Sequence, residues 1–563
     1  MDLICDSKYF QLFAQKEAAY ISDGITLIID GFVLPRREIH GNYDNLSQYD
    51  LILRLFKEHH GKFLDYIKGS FIIIILYGDE VVVCNDIHSI KKYYYFKKGR
   101  EYSVSNNLKL ISQQNGLEIN ELFPSIQALF QHPVAGITMF NDVFYSEPAS
   151  KLTLNENISV ESYWTPKSYL AADRSRYSLE QVIETFVVVI KNYITYFSPH
   201  SISITLTGGR DTRSILAALL NLGINPHAFT FGFPSGNDVL TAKLITDKLK
   251  IPFTNHFIEK LSPEIYQTLA KEIIKNGNPN VHLHRAHRLD AIKKEADVLG
   301  KIDMLFMGVM GGDYIKGVSF NDYIVTEFMR RYFFENIDIN TLIKQILDKN
   351  FIVYSEPLLS KLVSVIEKLE FMDKGNFKQS EYLIAHSFIG SLHDVQDINL
   401  FSEYADYVVA PFMDIDVFET LFQSPFSLFS HERSSKNPFK KIQGGILQAN
   451  IIHRLYPPLA DIPLANKYKP KDILGNGYLY FLKRIYLQLF KVNKKPSFSY
   501  GNWFKDYIHQ NIMKFETDLI DRYKMDQLKE SLLNSDHKTI EGYWHKYSNP
   551  LMIAQYTKQI KGI

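Results

Sequence analysis

The stretch Ser201 to Gly223, SISITLTGGRDTRSILAALLNLG, restricts the fold more than any other part of this chain. It reads as an apolar strand, a Gly-Gly turn, then a helix with Ile215, Leu216, Leu219 and Leu220 on one face and Gly223 closing it. The same rhythm runs from about 180 to 320. Helix-period segments such as Leu179–Tyr196 alternate with short strands such as Ser201–Leu206 and Asp303–Met307. Parallel strands need crossover helices, so this alternation predicts an open, doubly wound parallel sheet.

Within that unit, paired glycines let main-chain N–H groups close on an anion, because no Cβ intervenes. The helix N-terminus behind them adds about half a positive charge. Thr207 and Thr212 put hydroxyls on either side of the turn. Asp211 stands where a bare carboxylate would repel phosphate unless a cation lay between, which makes it a candidate magnesium ligand. The competing reading is an ordinary βα turn with Asp211 as a helix cap. Strand, turn and capped helix together, at the switch in the pattern, favour the anion site. No GxxxxGK is present, so the loop is not of the Walker type.

At 563 residues, two or three domains are expected. The first 165 residues or so are strand-rich, with Ile25–Ile29, Phe71–Tyr77 (FIIIILY) and Glu80–Cys84 as strands and Ser47–His60 as a helix. FIIIILY is too short to span a bilayer and reads as a strand buried on both faces. Beyond about 330 the pattern is mostly helical, with Pro-containing joints at Ser424–Pro425, Pro457–Pro458 and Pro496. Asp173–Ser178 is the best linker candidate.

Charge excludes some partners. With 63 basic against 62 acidic residues, the net charge of +1 gives no overall electrostatic reason to expect nucleic acid or an anionic membrane. Two cysteines, Cys5 and Cys84, leave no room for a disulfide framework and suit a reducing compartment. No signal-peptide pattern opens the sequence, so a cytoplasmic protein is expected. The sequence leaves room for a homodimer.

Further stretches carry a resemblance. Thr207-Gly208-Gly209-Arg210-Asp211-Thr212 resembles the pyrophosphate loop of the N-type ATP pyrophosphatases, usually Ser-Gly-Gly-x-Asp-Ser. His227–Leu240 (HAFTFGFPSGNDVL), Phe306–Gly317 (FMGVMGGDYIKG) and Tyr407–Phe418 (YVVAPFMDIDVF) are similar to successive segments of asparagine synthetases, over about 180 to 470. Ile28–Pro35, Lys68–Leu76 and Asp86–Tyr95 resemble segments of their glutaminase domain. The chain therefore resembles the asparagine synthetase-like family, which includes β-lactam synthetases and lasso-peptide cyclases.

That resemblance implies an α/β fold in three parts. Residues 1–170 would be an Ntn-hydrolase-like αββα sandwich, 175–470 a doubly wound ATP-pyrophosphatase domain, and 471–563 a helical extension. It implies ATP as substrate. Thr207, Gly208, Gly209, Asp211 and Thr212 would hold the pyrophosphate, main chain near Leu206, Phe231 and Gly308 the adenosine, and Asp211 and Asp313 two Mg²⁺ ions. A carboxylate attacks the α-phosphorus to give an acyl-adenylate, whose AMP is a good leaving group. An amine then attacks, and the cations neutralise charge on the departing pyrophosphate. A late Lys stabilises the second transition state. Lys440, Lys441, Lys467 and Lys469 lie in the right region, and Lys467 is preferred.

Several positions depart from the family. The glutaminase nucleophile should be Cys directly after the initiator Met, where this chain has Asp2. Asp30 replaces the oxyanion-hole Asn, and the substrate-binding Asp maps roughly to Gln48. The N-terminal domain is thus expected to be catalytically inactive. Met310 stands where asparagine synthetases carry Glu and β-lactam synthetases Tyr, and Met cannot accept a proton. Tyr314 is a weak substitute. His282, His284 and His287 invite a zinc reading but lack partners for a closed site. Arg285 or Arg288 could pair with a substrate carboxylate.

The expectation is an AMP-forming carboxylate–amine ligase acting on a small-molecule, peptide or glycan carboxylate and on ammonia or an amine. Nucleic acid and membrane are not expected partners. The rivals are asparagine synthesis from free ammonia and an ATP-binding pseudoenzyme or scaffold.

Overall fold

The fold is that of a computed structural model, which describes residues 2–6, 11–14, 19–115, 117–157, 159–257, 262–275, 286–312, 325–375, 377–426, 443–474, 478–489, 507–511, 520–534, 546 and 550–557. Among these residues the chain is mixed α/β. Asp2–Asp6 (β1), Gln11–Ala14 (β2), Tyr20–Ser22 (β3), Ile25–Pro35 (β4), Ile67–Tyr77 (β5), Glu80–Asn85 (β6), Tyr94–Lys98 (β7), Glu101–Ser105 (β8), Val143–Tyr145 (β9), Ser150–Leu154 (β10) and Ser159–Ser162 (β11) form two sheets. Their orders are β1-β2-β8-β7-β9 and β11-β10-β6-β5-β4-β3, antiparallel throughout except for the parallel pair β2/β8.

Side-chain alternation along β5 sets the layers. Phe71, Ile73 and Ile75 pack on Leu51, Ile52, Leu55 and Phe56 of the Gln48–His59 helix, which Ser47 caps. Ile72 and Ile74 point the other way, against Tyr102 and Val104 of the facing sheet. The outer face of that sheet holds Tyr94 and Phe96 against Leu108, Ile111, Phe123 and Ile126 of two further helices. Helix, sheet, sheet and helix lie in succession, and Phe71–Ile75 of FIIIILY is buried on both faces as its composition implies, while Tyr77 is exposed.

Ile202–Thr205 (β12), His227–Phe231 (β13), Phe253–His256 (β14), Ile302–Phe306 (β15) and Ala405–Val409 (β16) form a third sheet, ordered β14-β13-β12-β15-β16 and parallel at every pairing. Ile204, Ala228, Met304 and Phe306 face the Leu179–Phe197 and Asp211–Asn221 helices. Phe229, Leu305 and Val408 face the Pro263–Lys275 and Ala286–Leu299 helices on the other side. β16 lies in the part of the chain where the pattern predicted mostly helix. It completes the sheet because Val408 and Val409 alternate between its two cores.

Strand order reverses between β12 and β15, the position at which open α/β sheets take ligands. Two basic side chains, Lys68 and Arg36, fix the frame. Buried Lys68 on β5 places Nζ 3.0 Å from Asp414 and 2.8 Å from Asp416, while Arg36 reaches Asp416 at 3.1 Å and Glu419 at 2.5 Å. The linker candidate Asp173–Ser178 is hydrogen-bonded to the end of the Ile415–Phe422 helix. Arg174 donates to the Phe422 carbonyl, Arg176 to Gln423 Oε1 at 2.7 Å, and the Tyr177 N–H to the Gln423 carbonyl at 3.1 Å.

Candidate functional site

β12 ends at Thr205, and the Leu206 N–H still donates to the Phe229 carbonyl at 2.8 Å, carrying parallel pairing one residue further. The chain then turns through Thr207–Arg210 and enters the Asp211–Asn221 helix, whose first turn closes with Ser214 N–H on the Arg210 carbonyl at 2.8 Å. The two predicted hydroxyls meet. Thr207 and Thr212 Oγ1 are 3.4 Å apart, and the Thr207 N–H donates to Thr212 Oγ1 at 3.3 Å. Gly223 closes the helix with φ +78°, as expected of its position.

The glycines here serve close approach. A Cβ on Gly208 would stand 2.5 Å from the Ala465 Cβ, and one on Gly308, just past β15, 2.7 Å from the Thr212 backbone nitrogen. Gly308 thus brings the exit of β15 against the start of the Asp211 helix, and the two loops predicted to cooperate are adjacent. Gly209 is different. It is exposed, and only Thr207 Oγ1, at 3.5 Å, would be near its Cβ. Its N–H donates to Thr207 Oγ1 at 3.4 Å, so the loop's first hydroxyl folds back on its own backbone.

Asp211 is the first residue of the helix, and its carboxylate accepts from Gln448 Nε2. Gln448, fully buried, also donates to the Gly311 carbonyl at 3.0 Å, so one amide links the two loops. Asp313, the second predicted metal ligand, lies outside the described residues, as do Tyr314, Lys440 and Lys441. Among the described residues no group of three or more His, Cys, Asp or Glu side chains could hold a metal ion. The donors near the loop, one carboxylate and two hydroxyls, are hard oxygen ligands of the kind magnesium takes together with phosphate.

Lys467 stands in a turn bound to this loop. The Ala465 N–H donates to the Gly208 carbonyl at 3.0 Å, and the Lys467 N–H to the Leu464 carbonyl at 2.9 Å. Lys467 is exposed, with φ +72°. Buried Arg213 holds the approach to that turn, donating to the carbonyls of Ile462 at 2.6 Å and Pro463 at 3.1 Å. Burial pushes its guanidinium down to about 10. Lys469, the alternative, starts a short 3-10 turn in which its N–H donates to Asp472 at 2.7 Å.

Phe231 ends β13, with the His287 ring 5.8 Å away and the Arg288 guanidinium 5.6 Å over its face. Arg288 is paired with Asp397. His282, His284 and Arg285 lie outside the described residues. Met310 is buried with φ +63°, so its position is backbone-constrained and apolar.

Sequence reasoning missed Asp238, which accepts the Gly208 N–H at 2.9 Å, and Gln448, Ala465 and Arg213. Asp238 was open to discovery, since it lies in the second family-like segment.

In the N-terminal part, burial, with Asp79 and Asp6 nearby, pushes the Cys5 thiol up, the reverse of activation. Asp30 is paired with Lys91 at 3.2 Å and accepts from Asn106 at 2.8 Å. Gln48 Oε1 accepts from the Val33 N–H at 2.6 Å. These groups are engaged in holding strands and loops together.

No family model matches the chain, and no curated protein matches its sequence.

Proposed function

We propose that the chain is an ATP-dependent, AMP- and pyrophosphate-forming ligase of the asparagine synthetase-like type, which adenylates a carboxylate and forms an amide with ammonia or an amine. In this reading 1–170 is an inactive glutaminase-like platform, 175–470 the ATP-pyrophosphatase unit and 471–563 a helical extension. One observation carries it. The Thr207–Gly209 loop lies at the strand-order reversal of a parallel sheet, with β15's exit packed on its helix and the Lys467 turn hydrogen-bonded to it. Crevices at such reversals are where open α/β sheets take ligands.

The roles follow from the family resemblance. N–H groups at Gly209 and the helix N-terminus meet the β- and γ-phosphates, Thr207 and Thr212 donate hydroxyls, and main chain at Leu206, Phe231 and Gly308 flanks the adenosine. Asp211, with Asp313, would hold magnesium, which neutralises charge on pyrophosphate. Lys467 would neutralise charge as the amine attacks.

Incubation with ATP, magnesium, mixed carboxylates and ammonia should yield AMP and pyrophosphate. Asp211→Ala should lower pyrophosphate release by about a hundredfold or more without loss of fold. Undiminished release in that variant removes the assignment.

A second reading, an ATP-binding pseudoenzyme, draws on Met310 and on the Gln448 contact to Asp211. Nucleotide binding without AMP formation under any carboxylate would favour it. Asparagine synthesis from free ammonia stays within the first reading and would appear as aspartate-dependent AMP release.

A further inference from the structure

The helix Tyr478–Leu489, YLYFLKRIYLQL, has an apolar side packed on the fold and a second apolar side that is exposed among the described residues. Inward, Tyr480 and Phe481 pack on Ala449, Leu464, Tyr468 and Ile473, with the Tyr480 ring 4.8 Å from Tyr468. Lys483 pairs with Asp472 at 2.7 Å on that side. Outward, Leu479, Leu482, Ile485 and Leu489 are 61%, 64%, 52% and 74% exposed, and Tyr478 and Tyr486 join them. At 3.6 residues per turn, these six fall within an arc of about 120°. Scattered exposed apolar residues need no explanation, but a continuous stripe marks a contact surface.

Local charge says what the stripe meets. Between Lys467 and Lys495 the sequence holds eight Lys or Arg and one acidic residue, Asp472, although the whole chain is nearly neutral at +1. The overall balance conceals this block. Even with Lys471 paired to Asp461 and Lys483 to Asp472, the segment keeps a net positive charge. A second copy of the chain would bring two such segments together, whereas an anionic surface satisfies both the charge and the stripe.

We propose that the Tyr478–Leu489 helix lies in the surface of an anionic lipid bilayer, its outer stripe in the acyl boundary and the neighbouring lysines against the headgroups. Twelve residues span about 18 Å, short of the roughly 30 Å hydrocarbon core, so the helix lies in the plane. Tyrosine rings suit headgroup depth. This proposal does not depend on the nucleotide reading.

The test mixes the full chain with vesicles of phosphatidylcholine alone or with added phosphatidylserine and sediments them. Binding to the anionic vesicles should be at least about tenfold tighter and should weaken as salt rises. Leu482→Glu with Ile485→Glu should lower it about a hundredfold while leaving the thermal transition unchanged. Absent binding, equal binding to both vesicle types or full binding by the double variant overturns the proposal. So does a concentration-dependent dimer in sedimentation velocity that vesicles do not dissociate and the double variant abolishes.

Discussion

The Ala465 N–H donates to the Gly208 carbonyl at 3.0 Å, so the turn carrying Lys467 is fastened to the loop at the sheet's switch point. Lys467 keeps φ +72° there, where a side chain costs about 1 kcal/mol that glycine would not. Lys467→Gly should therefore raise stability by about 1 kcal/mol while lowering amide formation steeply. Lys467→Ala should lower amide formation without the gain. Thermal unfolding and product analysis read the two effects separately. If Lys467→Gly kept full turnover, Lys467 would be only a turn residue.

Two glycines should respond in opposite ways. Alanine at Gly308 would collide with the Thr212 nitrogen at 2.7 Å, forcing the helix start away from β15 and costing about 1–3 kcal/mol. Alanine at Gly209 has room, so Gly209→Ala should unfold at the wild-type temperature. Its methyl group would stand on the loop's exposed side, and ATP affinity should fall about tenfold or more. Calorimetry of folding and of ATP binding distinguishes them. Equal ATP affinity for Gly209→Ala and wild type would mean phosphates do not sit on that face.

The local grammar of the chain was legible in its sequence. FIIIILY announced a strand buried on both faces, and Gly223 the end of a helix. What periodicity cannot express is which distant residue arrives at a site. Gln448 reaches Asp211 across 237 positions and Arg213 reaches Ile462 across 249, and neither contact leaves a repeat or a turn signal. The contacts of Asp173–Ser178 were hidden for a related reason. Arg174 and Arg176 find acceptors at 422 and 423 that no local rule supplies.

Acid should loosen the edge of the parallel sheet. Burial would raise the Glu295 carboxyl, but donors from His227 at 2.6 Å, His256 at 2.7 Å and Thr254 at 2.6 Å outweigh it and hold it at about 2. A carboxyl depressed on folding contributes stability above its unfolded value, about 4.3, and that contribution fades as pH falls toward 2. Glu295→Gln should be less stable at neutral pH, and its deficit should shrink across that window. Unfolding temperatures measured from pH 7 to 2 provide the comparison, and a constant deficit would refute the linkage.

Glutamine should not serve as nitrogen donor. Burial pushes the Cys5 thiol up, and Asp30 presents a carboxylate beside Lys91. Glutamate release from glutamine should stay at background, and Cys5→Ala should leave ammonia-dependent turnover unchanged. A glutaminase rate abolished by Cys5→Ala would restore the N-terminal part as an enzyme.

Lys68 tests whether the N-terminal sheets act as a platform for the loop. Its ammonium is buried between Asp414 at 3.0 Å and Asp416 at 2.8 Å, and these carboxylates offset the burial that would otherwise lower it. Lys68→Met leaves two buried carboxylates with Arg36 as the remaining cation partner on that side, a loss of about 3–5 kcal/mol for pairs of this kind. The exposed pair Arg54–Glu58, at 2.9 Å, gives the contrast, and Arg54→Met should leave the unfolding temperature unchanged. The loss at Lys68 should also reach the candidate site. Asp414 follows Phe412, whose ring would lie 2.7 Å from a Cβ on Gly311, and Gly311 shares Gln448 with Asp211. Lys68→Met should thus raise the KM for ATP as well as lower the unfolding temperature, whereas Arg54→Met should change neither. A Lys68→Met protein that unfolds early yet binds ATP normally would confine the ion network to stability and break the proposed path from platform to loop.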